Sequence, residues 1–308
     1  MPSDYELVST GLHYYTRSGF EVRVPLARWY EERVAGSPLA CRDWEAFRDP
    51  RETTYATYTR LQKQREEFVD GVLRSIDERG YDARLDPAWR EALERVLAPA
   101  RYPFHGLQMA AAYVGQMAPA GRVTIACAFQ AADEMRRVQR FAYRMAQLGQ
   151  TYPGFGEGGR RAWQSEPAWQ PLREAIERLL VAYDWGEALV ALTLILKPAV
   201  DGFFTAGLAA EAGRAGDPLF AEVLFSLEED CRWHRAWSLS LLRHAAAERP
   251  ENRAAMQAFV DQWHPLARRA IGALAPLLPG GAALAGAADP CAEGVAALGL
   301  RLPGGGGP

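Results

Sequence analysis

Apolar residues recur every three or four positions through most of the chain after residue 50, which is the spacing of one buried face of an α-helix. The first such stretch begins near Arg51, and Gly80 supplies a stop signal after it. No segment alternates apolar and polar residues as a half-exposed strand does. The pattern therefore predicts an all-α protein, and the apolar face of its first long helix contains Tyr55, Tyr58, Leu61, Phe68, Val72 and Ile76.

The same spacing predicts further helices, separated by breaks that contain Pro or Gly. Pro87 suits a first helical turn, and Pro198 is expected to kink or interrupt the helix that contains it. Residues 152–171 carry several Gly and Pro residues and are predicted to form a loop. The expected helices cover residues 86–97, 104–117, 123–148, 172–197, 219–247 and 251–278.

Composition and charge are those of an ordinary globular protein. The 308 residues are 49% hydrophobic and 24% charged. The net charge of -3 does not indicate a basic surface that would bind nucleic acid. The four cysteines lie far apart, as free thiols in a reducing compartment do. The start of the chain shows no secretory signal, and the longest apolar run, residues 188–196, is too short to span a membrane. We therefore expect a cytoplasmic protein.

Both ends of the chain differ from the predicted helical domain at residues 51–278. Residues 1–50 are rich in aromatic residues and arginine, so they form either a segment packed on its own domain or an arm that docks on a partner. Composition does not decide between these two interpretations. Residues 279–308 are mostly Gly, Ala and Pro, which predicts a flexible tail. The possible interface residues are Tyr14, Tyr15, Trp29 and Tyr30.

Two short segments carry the candidate chemistry. In four-helix carboxylate proteins, a metal pair is held by a Glu from each of two helices and a Glu-x-x-His from each of the other two. In the segment Asp133-Glu134-Met135-Arg136-Arg137, the histidine position holds Arg137. In Glu229-Asp230-Cys231-Arg232-Trp233, it holds Trp233. These segments have the spacing of a metal site without its histidines.

Helical periodicity places Glu134, Glu187 and Asp230 on inward faces, where they are predicted to converge. Carboxylates buried together require a compensating cation. Arg137, three residues after Glu134, is the candidate, with Glu187 or Asp230 as a further partner. The alternative is an ordinary ion pair of Glu134 and Arg137 on a partly exposed helix face.

Four stretches resemble the β subunit of the hydroxylase in bacterial multicomponent monooxygenases, most of all the toluene, alkene and isoprene group. They are residues 101–119, 127–144 and 182–201 and the Arg232-Trp233-His234 region. The resemblance implies a ferritin-like helical bundle with extra helices, an extended N-terminal arm and a Gly/Pro-rich tail. It also implies that a partner α subunit holds the di-iron centre, and that this chain has no catalytic, cofactor-binding or metal-binding residue.

In that interpretation, the vestigial di-iron positions are Glu134, Arg137, Glu187, Asp230 and Trp233. The implied assembly is an (αβγ)₂ hydroxylase that serves with an effector protein, a ferredoxin and a reductase. It oxidises small aromatic or alkene hydrocarbons with O₂ and electrons from NADH. Two alternatives remain at this point. One is a helical scaffold of unrelated function, and the other is a catalytic metalloprotein that uses Glu134, Glu187, Asp230 and His234.

Overall fold

The computed structural model describes residues 2–10, 25–281 and 287–304, and this part of the chain is helical without any strand. A π-helical turn (Glu31–Ala35) follows the second helix, and 3₁₀ turns cover Trp44–Ala46, Asp82–Arg84 and Ala275–Leu277. The helices are α1 Asp4–Ser9, α2 Pro25–Tyr30, α3 Tyr55–Glu78, α4 Pro87–Gln116, α5 Gly121–Thr151, α6 Gly159–Ser165, α7 Gln170–Leu179, α8 Trp185–Arg214, α9 Pro218–Glu248, α10 Asn252–Leu274 and α11 Ala292–Ala296.

The boundaries of α3 and α9 follow local signals that the sequence displays. The hydroxyl of Thr54 caps the start of α3 by accepting from the backbone N–H of Thr57. Gly80, just beyond the end of α3, has φ +53°, a conformation that few residues other than glycine adopt. Asp217 caps α9, and Pro218 occupies its first turn. The predicted α3, α5 and α9 are confirmed to within a few residues.

The two helices predicted for residues 86–97 and 104–117 are one continuous helix, α4. Pro99 and Pro103 lie inside it, where each removes a backbone donor. Tertiary packing outweighs this loss, because α4 packs against α5 more extensively than any other pair of described elements. The helices approach so closely that a Cβ on Gly115 would lie 2.7 Å from the Cβ of Cys127.

The helix predicted for residues 172–197 is interrupted after Leu179 rather than at Pro198. It ends at Leu179, and Asp184 caps the start of α8 by accepting from the backbone N–H of Glu187 at 2.8 Å. Helix α8 then continues through Pro198, where an interruption was predicted, and contains two π-helical segments, Ala191–Leu196 and Gly202–Gly207. The predicted loop at residues 152–171 contains the short helix α6.

Helix α8 is the central element of the bundle. Its 30 residues are long and apolar enough to cross a membrane by length and composition, a longer segment than the apolar run seen in the sequence. However, 94% of its most apolar window is buried inside the protein, as in the core helix of a globular fold. The Phe104 ring packs edge-on against Phe141 of α5 and Phe204 of α8, with centroids 4.9 and 5.2 Å away.

The described part of the N-terminal region packs on the helical domain. Trp29 donates from its indole N–H to the Tyr113 hydroxyl at 3.3 Å, and its ring lies 5.0 Å from that of Tyr183. Trp44 packs edge-on against Trp185 at 5.2 Å. These contacts agree with a segment packed on its own domain. Tyr14 and Tyr15 lie outside the described residues.

The predicted flexible tail is wrong for residues 287–304. Cys291 and Val295 are 2% and 1% exposed, and the Cys291 thiol donates to the backbone carbonyl of Ile195 at 3.3 Å. Asp289 contacts His264 of α10 at 2.7 Å. The small residues of this segment allow it to pack closely on α8. A count of large apolar residues does not predict packing of this kind. The boundaries at residues 50 and 278 remain a prediction.

Candidate functional site

Four charged side chains meet at the centre of the bundle, where each is no more than 2% exposed. Arg137 donates to Asp201 at 2.6 Å and also to Glu134. The Lys197 ammonium lies 2.7 Å from Glu134 and 2.9 Å from Asp201. We call Glu134, Arg137, Lys197 and Asp201 the central ion-pair cluster. Its two cations and two anions alternate, so the formal charges cancel.

Two helices supply these side chains in one-turn pairs. Glu134 and Arg137 are three residues apart on α5, and Lys197 and Asp201 are four apart on α8. The α8 pair occupies the α-helical turn Lys197–Asp201 between the two π-helical segments. Such π-helical turns are frequent at functional sites. Phe104 of α4 closes one side, with its ring centroid 4.1 Å from the Arg137 guanidinium carbon.

Burial and the neighbouring charges have opposite effects on the pKa values of three side chains in this cluster. Burial by itself lowers the pKa of Arg137, but the charges of Glu134 and Asp201 raise it above the ordinary value. The pKa of Lys197 is raised in the same way, against the effect of its burial. For Asp201, the effect of burial is outweighed by Lys197 and then Arg137, so its pKa is lowered. Both cations therefore stay protonated at neutral pH.

Helix α9 presents Cys231 and His234 to the same region. The Cys231 sulfur lies 3.6 Å from the Lys197 ammonium, and burial raises the pKa of the thiol well above its usual value. The pKa of His234 is lowered well below the ordinary value by burial, followed by the charges of Lys197 and Arg137. The thiol and the imidazole are therefore neutral at physiological pH.

A second buried polar network lies beside the first, toward α3. The Gln62 amide donates to Asp133 at 2.7 Å and to Asp230 at 2.8 Å, bridging the two carboxylates. Arg65 and Arg136 donate to Asp230. Burial, with the charge of Asp230 next, raises the pKa of Asp133 well above its usual value.

The prediction of a buried pair between Glu134 and Arg137 is confirmed, and the exposed-pair alternative is wrong. The predicted convergence of Glu134 with Glu187 and Asp230 is wrong, because Asp230 pairs in the second network and Arg137 pairs with Asp201 instead.

Two of the other predicted site residues, Glu187 and Trp233, form their hydrogen bonds away from the central ion-pair cluster. Glu187 is half-buried and accepts from Gln262 at 2.8 Å and from the Trp263 indole at 3.0 Å. The indole of Trp233 donates to Asp49 at 3.1 Å.

Sequence reasoning missed Lys197 and Asp201, although a signal for them exists. They are the only charged residues between Ala188 and Ala210, and they are spaced one helical turn apart. A lysine and an aspartate with that spacing inside an apolar helix are expected to be buried and paired with each other or with a charge across the core. The i, i+4 pair is observed, with its ammonium and carboxylate 2.9 Å apart.

The residues at the centre do not fit a metal pair. Arginine and lysine are protonated here and have no lone pair to donate to a metal, and each carboxylate of the cluster is already paired with both cations. Within residues 2–10, 25–281 and 287–304, no group of three or more His, Cys, Asp or Glu is arranged to hold a metal ion.

The residues of the metalloprotein alternative are also dispersed. Glu187 contacts α10, Asp230 contacts α3, and His234 contacts Asp133 at 2.9 Å. These separate contacts show that the four residues do not form one site.

The buried His234 gives a testable dependence of stability on pH. Asp133 lies 2.9 Å away, and Lys197, Arg137, Arg235 and Arg65 are the cations around it. Because its folded pKa is lowered, the folded chain keeps this imidazole neutral, whereas the unfolded chain protonates near the ordinary value of 6.5. Its contribution to stability is therefore present above about pH 6.5 and is lost as the pH falls.

Replacing His234 with glutamine is expected to reduce the loss of unfolding free energy between about pH 7 and pH 5 by roughly 2 kcal/mol. Urea unfolding at each pH measures this difference. Asp133 changes the stability with pH in the opposite direction. Its raised pKa stabilises the fold at low pH, and that contribution is lost as the pH rises. The comparison of variant and wild type reports the histidine together with its effect on Asp133, which lies 2.9 Å away. Parallel pH profiles for the two would contradict a neutral, buried imidazole.

Residues 29–249 match the sequence profile of the methane/phenol/alkene hydroxylase family. The hydroxylase component subunit beta of the toluene-4-monooxygenase system from Ectopseudomonas mendocina is 39% identical over 284 residues, spanning 90% of this chain and 86% of that protein. Among solved structures, toluene 4-monooxygenase with toluene in its resting active site superposes with a TM-score of 0.86 at 38% identity, covering 90% of this chain and 94% of that one.

Xenon-pressurised phenol hydroxylase from Pseudomonas sp. OX1 also superposes, with a TM-score of 0.86 over 98% of this chain and 92% of that chain. Its identity of 21% establishes the fold alone. The predicted all-α, ferritin-like fold is confirmed by these superpositions. From the profile match, which covers most of the chain, and the identity to a hydroxylase β subunit, we conclude that this protein belongs to the methane/phenol/alkene hydroxylase family as the β subunit of a multicomponent monooxygenase.

Proposed function

We propose that this β subunit supports a di-iron α subunit and holds no iron itself. The observation that carries the proposal is the central ion-pair cluster, in which Arg137 and Lys197 fill the bundle centre with protonated side chains. A carboxylate-bridged iron pair needs ionised carboxylates and neutral imidazoles at such a centre. This chain contributes a helical bundle that supports the α subunit, and the oxidation takes place on the α subunit.

The assembled hydroxylase is proposed to act on a small aromatic or alkene hydrocarbon with O₂ and NADH-derived electrons. The 39% identity to a subunit of a toluene-4-monooxygenase system supports this substrate class. The proposed assembly is a cytoplasmic (αβγ)₂ hydroxylase, served by an effector protein, a ferredoxin and a reductase. The β designation of the relative supports at least one other kind of subunit in the complex.

Metal analysis of separated subunits tests the location of the iron. The full chain is co-expressed with its α and γ subunits, the complex is purified, and the subunits are separated under conditions that retain bound iron. We expect iron in stoichiometric amount on the α subunit and only trace iron on this chain. Stoichiometric iron on this chain, lost on substitution of Glu134, would contradict the proposal.

The aromatic cluster around Trp29 is the proposed contact for a partner subunit. Tyr183 packs on Trp29 and is still 41% exposed, and the neighbouring Val181 is 57% exposed. Exposed aromatic and aliphatic side chains on a rigid base are typical of interface hot spots. Tyr30 follows Trp29 in the chain and belongs to the same proposed surface.

Replacing Tyr183 with aspartate is expected to weaken assembly about tenfold, because a charge replaces a hot-spot side chain. The measurement is the partner retained by an affinity tag on this chain over a range of partner concentrations. Tyr143→Asp is the matched control, since Tyr143 is 48% exposed on α5, away from the Trp29 cluster. Equal retention by the two variants would exclude this surface.

A further inference from the structure

Helix α5 carries its charges on the inside of the protein. After Arg122, every charged residue of the helix is buried and bonds toward α3, α8, α9 or the α3–α4 connection: Asp133, Glu134, Arg136, Arg137, Arg140 and Arg144. The exposed residues over the same length are all uncharged: Ala128, Ala132, Met135, Gln139, Tyr143, Ala146, Gln150 and Thr151. A helix that faces water normally has the opposite arrangement, with its charged residues outside.

Six of the outward residues recur with the spacing of a helix-packing seam. The α5 outer face, as we call it, consists of residues separated alternately by four and three positions: Ala128, Ala132, Met135, Gln139, Ala142 and Ala146. All are exposed except Ala142, which is half-buried. A seven-residue repeat of mainly apolar residues indicates that another helix packs along it at a shallow angle. Tyr143 lies off this repeat, on the side where Arg140 and Gln147 bond to α3.

The neighbouring part of α4 is also free of charged residues. From Tyr102 to Gln116 it contains no Asp, Glu, Lys or Arg, and its exposed residues there are His105, Met109, Ala112 and Gln116. Met109 is 39% exposed and lies one turn before Tyr113, whose hydroxyl accepts from the indole of Trp29. The uncharged surface therefore continues from the α5 outer face across α4 to the Trp29 cluster.

The extent of this surface approaches that of a stable interface. The α5 outer face is about 28 Å long, and with α4 beside it the two helices present on the order of 600 Å². A stable complex buries about 800 Å² on each partner, and the Trp29 cluster extends the surface toward that size. Depletion of charged residues is the compositional mark of the centre of an interface.

We propose that the α5 outer face packs against a long helix of the α subunit, the same partner that is proposed to contact the Trp29 cluster. The inference rests on the proposed function, which supplies the α subunit as the partner. The seven-residue repeat fits a helical occupant, and the continuous surface toward Trp29 assigns that helix to the same subunit. A charged side chain on the partner would lose water here without gaining a counter-ion, so the partner's helix is expected to be apolar along this contact.

The first test replaces Met135 with aspartate in the full chain. We expect the affinity for the α subunit to fall about tenfold, and about a hundredfold when Ala132→Glu is added, because unpaired carboxylates are then buried in the contact. The measurement is the α subunit retained by a tag on this chain over a range of α concentrations. Leu61→Asp is the matched control, since Leu61 on α3 is 37% exposed, as Met135 is.

Folding and assembly are measured on the same variants. Both substituted side chains are exposed on the isolated chain, so the urea-unfolding midpoint should stay at the wild-type value while retention falls. Unchanged retention by the double variant would overturn the proposal, and so would an equal loss for Leu61→Asp.

Photo-cross-linking identifies the occupant and does not depend on the folding of those variants. A benzophenone side chain replaces Gln139 in the assembled complex, and Lys63 on α3, whose side chain is 75% exposed, is the control position. We expect a cross-link from position 139 to a helix of the α subunit and none from position 63. A cross-link from position 139 to the γ subunit, to a second copy of this chain or to residues 11–24 of this chain would overturn the proposal, as would the absence of any cross-link.

These outcomes are separate from the location of the iron. If position 139 cross-links to the α subunit and the iron is found on this chain, the proposed function fails and the contact surface stands. If the iron is on the α subunit and position 139 does not cross-link to it, the contact surface fails and the proposed function stands.

Discussion

Replacing Arg137 with alanine is expected to lower the free energy of unfolding by about 3–5 kcal/mol. The substitution removes one of the two cations of the central ion-pair cluster. Glu134 then keeps Lys197, and Asp201 keeps Lys197 and, 3.6 Å away, Arg235. In a site no more than 2% exposed, water cannot solvate the uncompensated carboxylate. The loss of contact between the guanidinium and the Phe104 ring acts in the same direction. The urea-unfolding midpoint, followed by tryptophan fluorescence, measures the change.

The matched control is Arg232→Ala on α9. Arg232 also pairs with an acid three residues away, Glu229, but its side chain is 59% exposed. Pairs in this setting contribute at most about 1 kcal/mol, because water screens them. A loss below about 1 kcal/mol for Arg137→Ala would contradict a charge-balanced core.

A paired replacement separates charge balance from packing. Arg137→Met with Glu134→Gln removes one charge of each sign, preserves most of the volume, and leaves Lys197 paired with Asp201. Removing both partners of a buried pair is often much less harmful than removing one. We therefore expect the double variant to be more stable than Arg137→Ala. If both are equally destabilised, shape rather than charge is the main contribution of this arginine.

Periodicity and capping signals predict most of the fold, and packing decides the remainder. The starts of α3 and α9 are encoded locally by Thr54 and Asp217, so they are visible in the sequence. The continuity of α4 through Pro99 and Pro103 depends on the surface of α5, which no local signal reports. The passage of α8 through Pro198 coincides with the π-helical segments on either side, which also have no sequence signature.

The site residues on α5 were predicted correctly, whereas those on α8 and α9 were not, and helix geometry explains the difference. On α5, Glu134 and Arg137 lie in the same helical stripe as Cys127 and Phe141, which are buried, so they are assigned to the inside correctly. Successive residues of a helix point about 100° apart, and α9 is buried on several faces, so spacing alone does not distinguish Asp230 from Cys231. Both are buried, and they face different neighbours: Asp230 contacts α3 and α5, and Cys231 contacts Lys197 of α8.

Another buried ion pair, between Arg144 and Asp82, joins the far end of α5 to the connection between α3 and α4. Arg144 is fully buried and donates through both terminal nitrogens to Asp82, with both distances 2.7 Å. Asp82 begins a 3₁₀ turn, and its backbone carbonyl accepts from the Tyr152 hydroxyl at 2.6 Å. The pair therefore fixes the position of the α3–α4 connection against α5.

Replacing Arg144 with alanine is expected to lower the free energy of unfolding by about 3–5 kcal/mol, because the Asp82 carboxylate then stays in the core without its cation. The experiment that distinguishes geometry from charge is Arg144→Lys. Lysine keeps the positive charge but has no planar fork for a two-point contact with a carboxylate. We expect a loss of roughly 1–3 kcal/mol for it, the range of a lost hydrogen bond to a charged group.

The order of these variants is the decisive result, because it depends on the two-point contact itself. Asp82→Ala should cost less than Arg144→Ala, because Arg144 then keeps Asp217 at 4.0 Å, whereas Arg144→Ala removes this cation from both Asp82 and Asp217. Arg178→Ala is the control, since Arg178 is 59% exposed and pairs with Glu174 one turn away, so a loss below about 1 kcal/mol is expected. Urea-unfolding midpoints for the four variants provide the comparison. If Arg144→Lys is as stable as the wild type, charge alone holds the α3–α4 connection, and if it is as unstable as Arg144→Ala, the fork geometry accounts for the whole contribution.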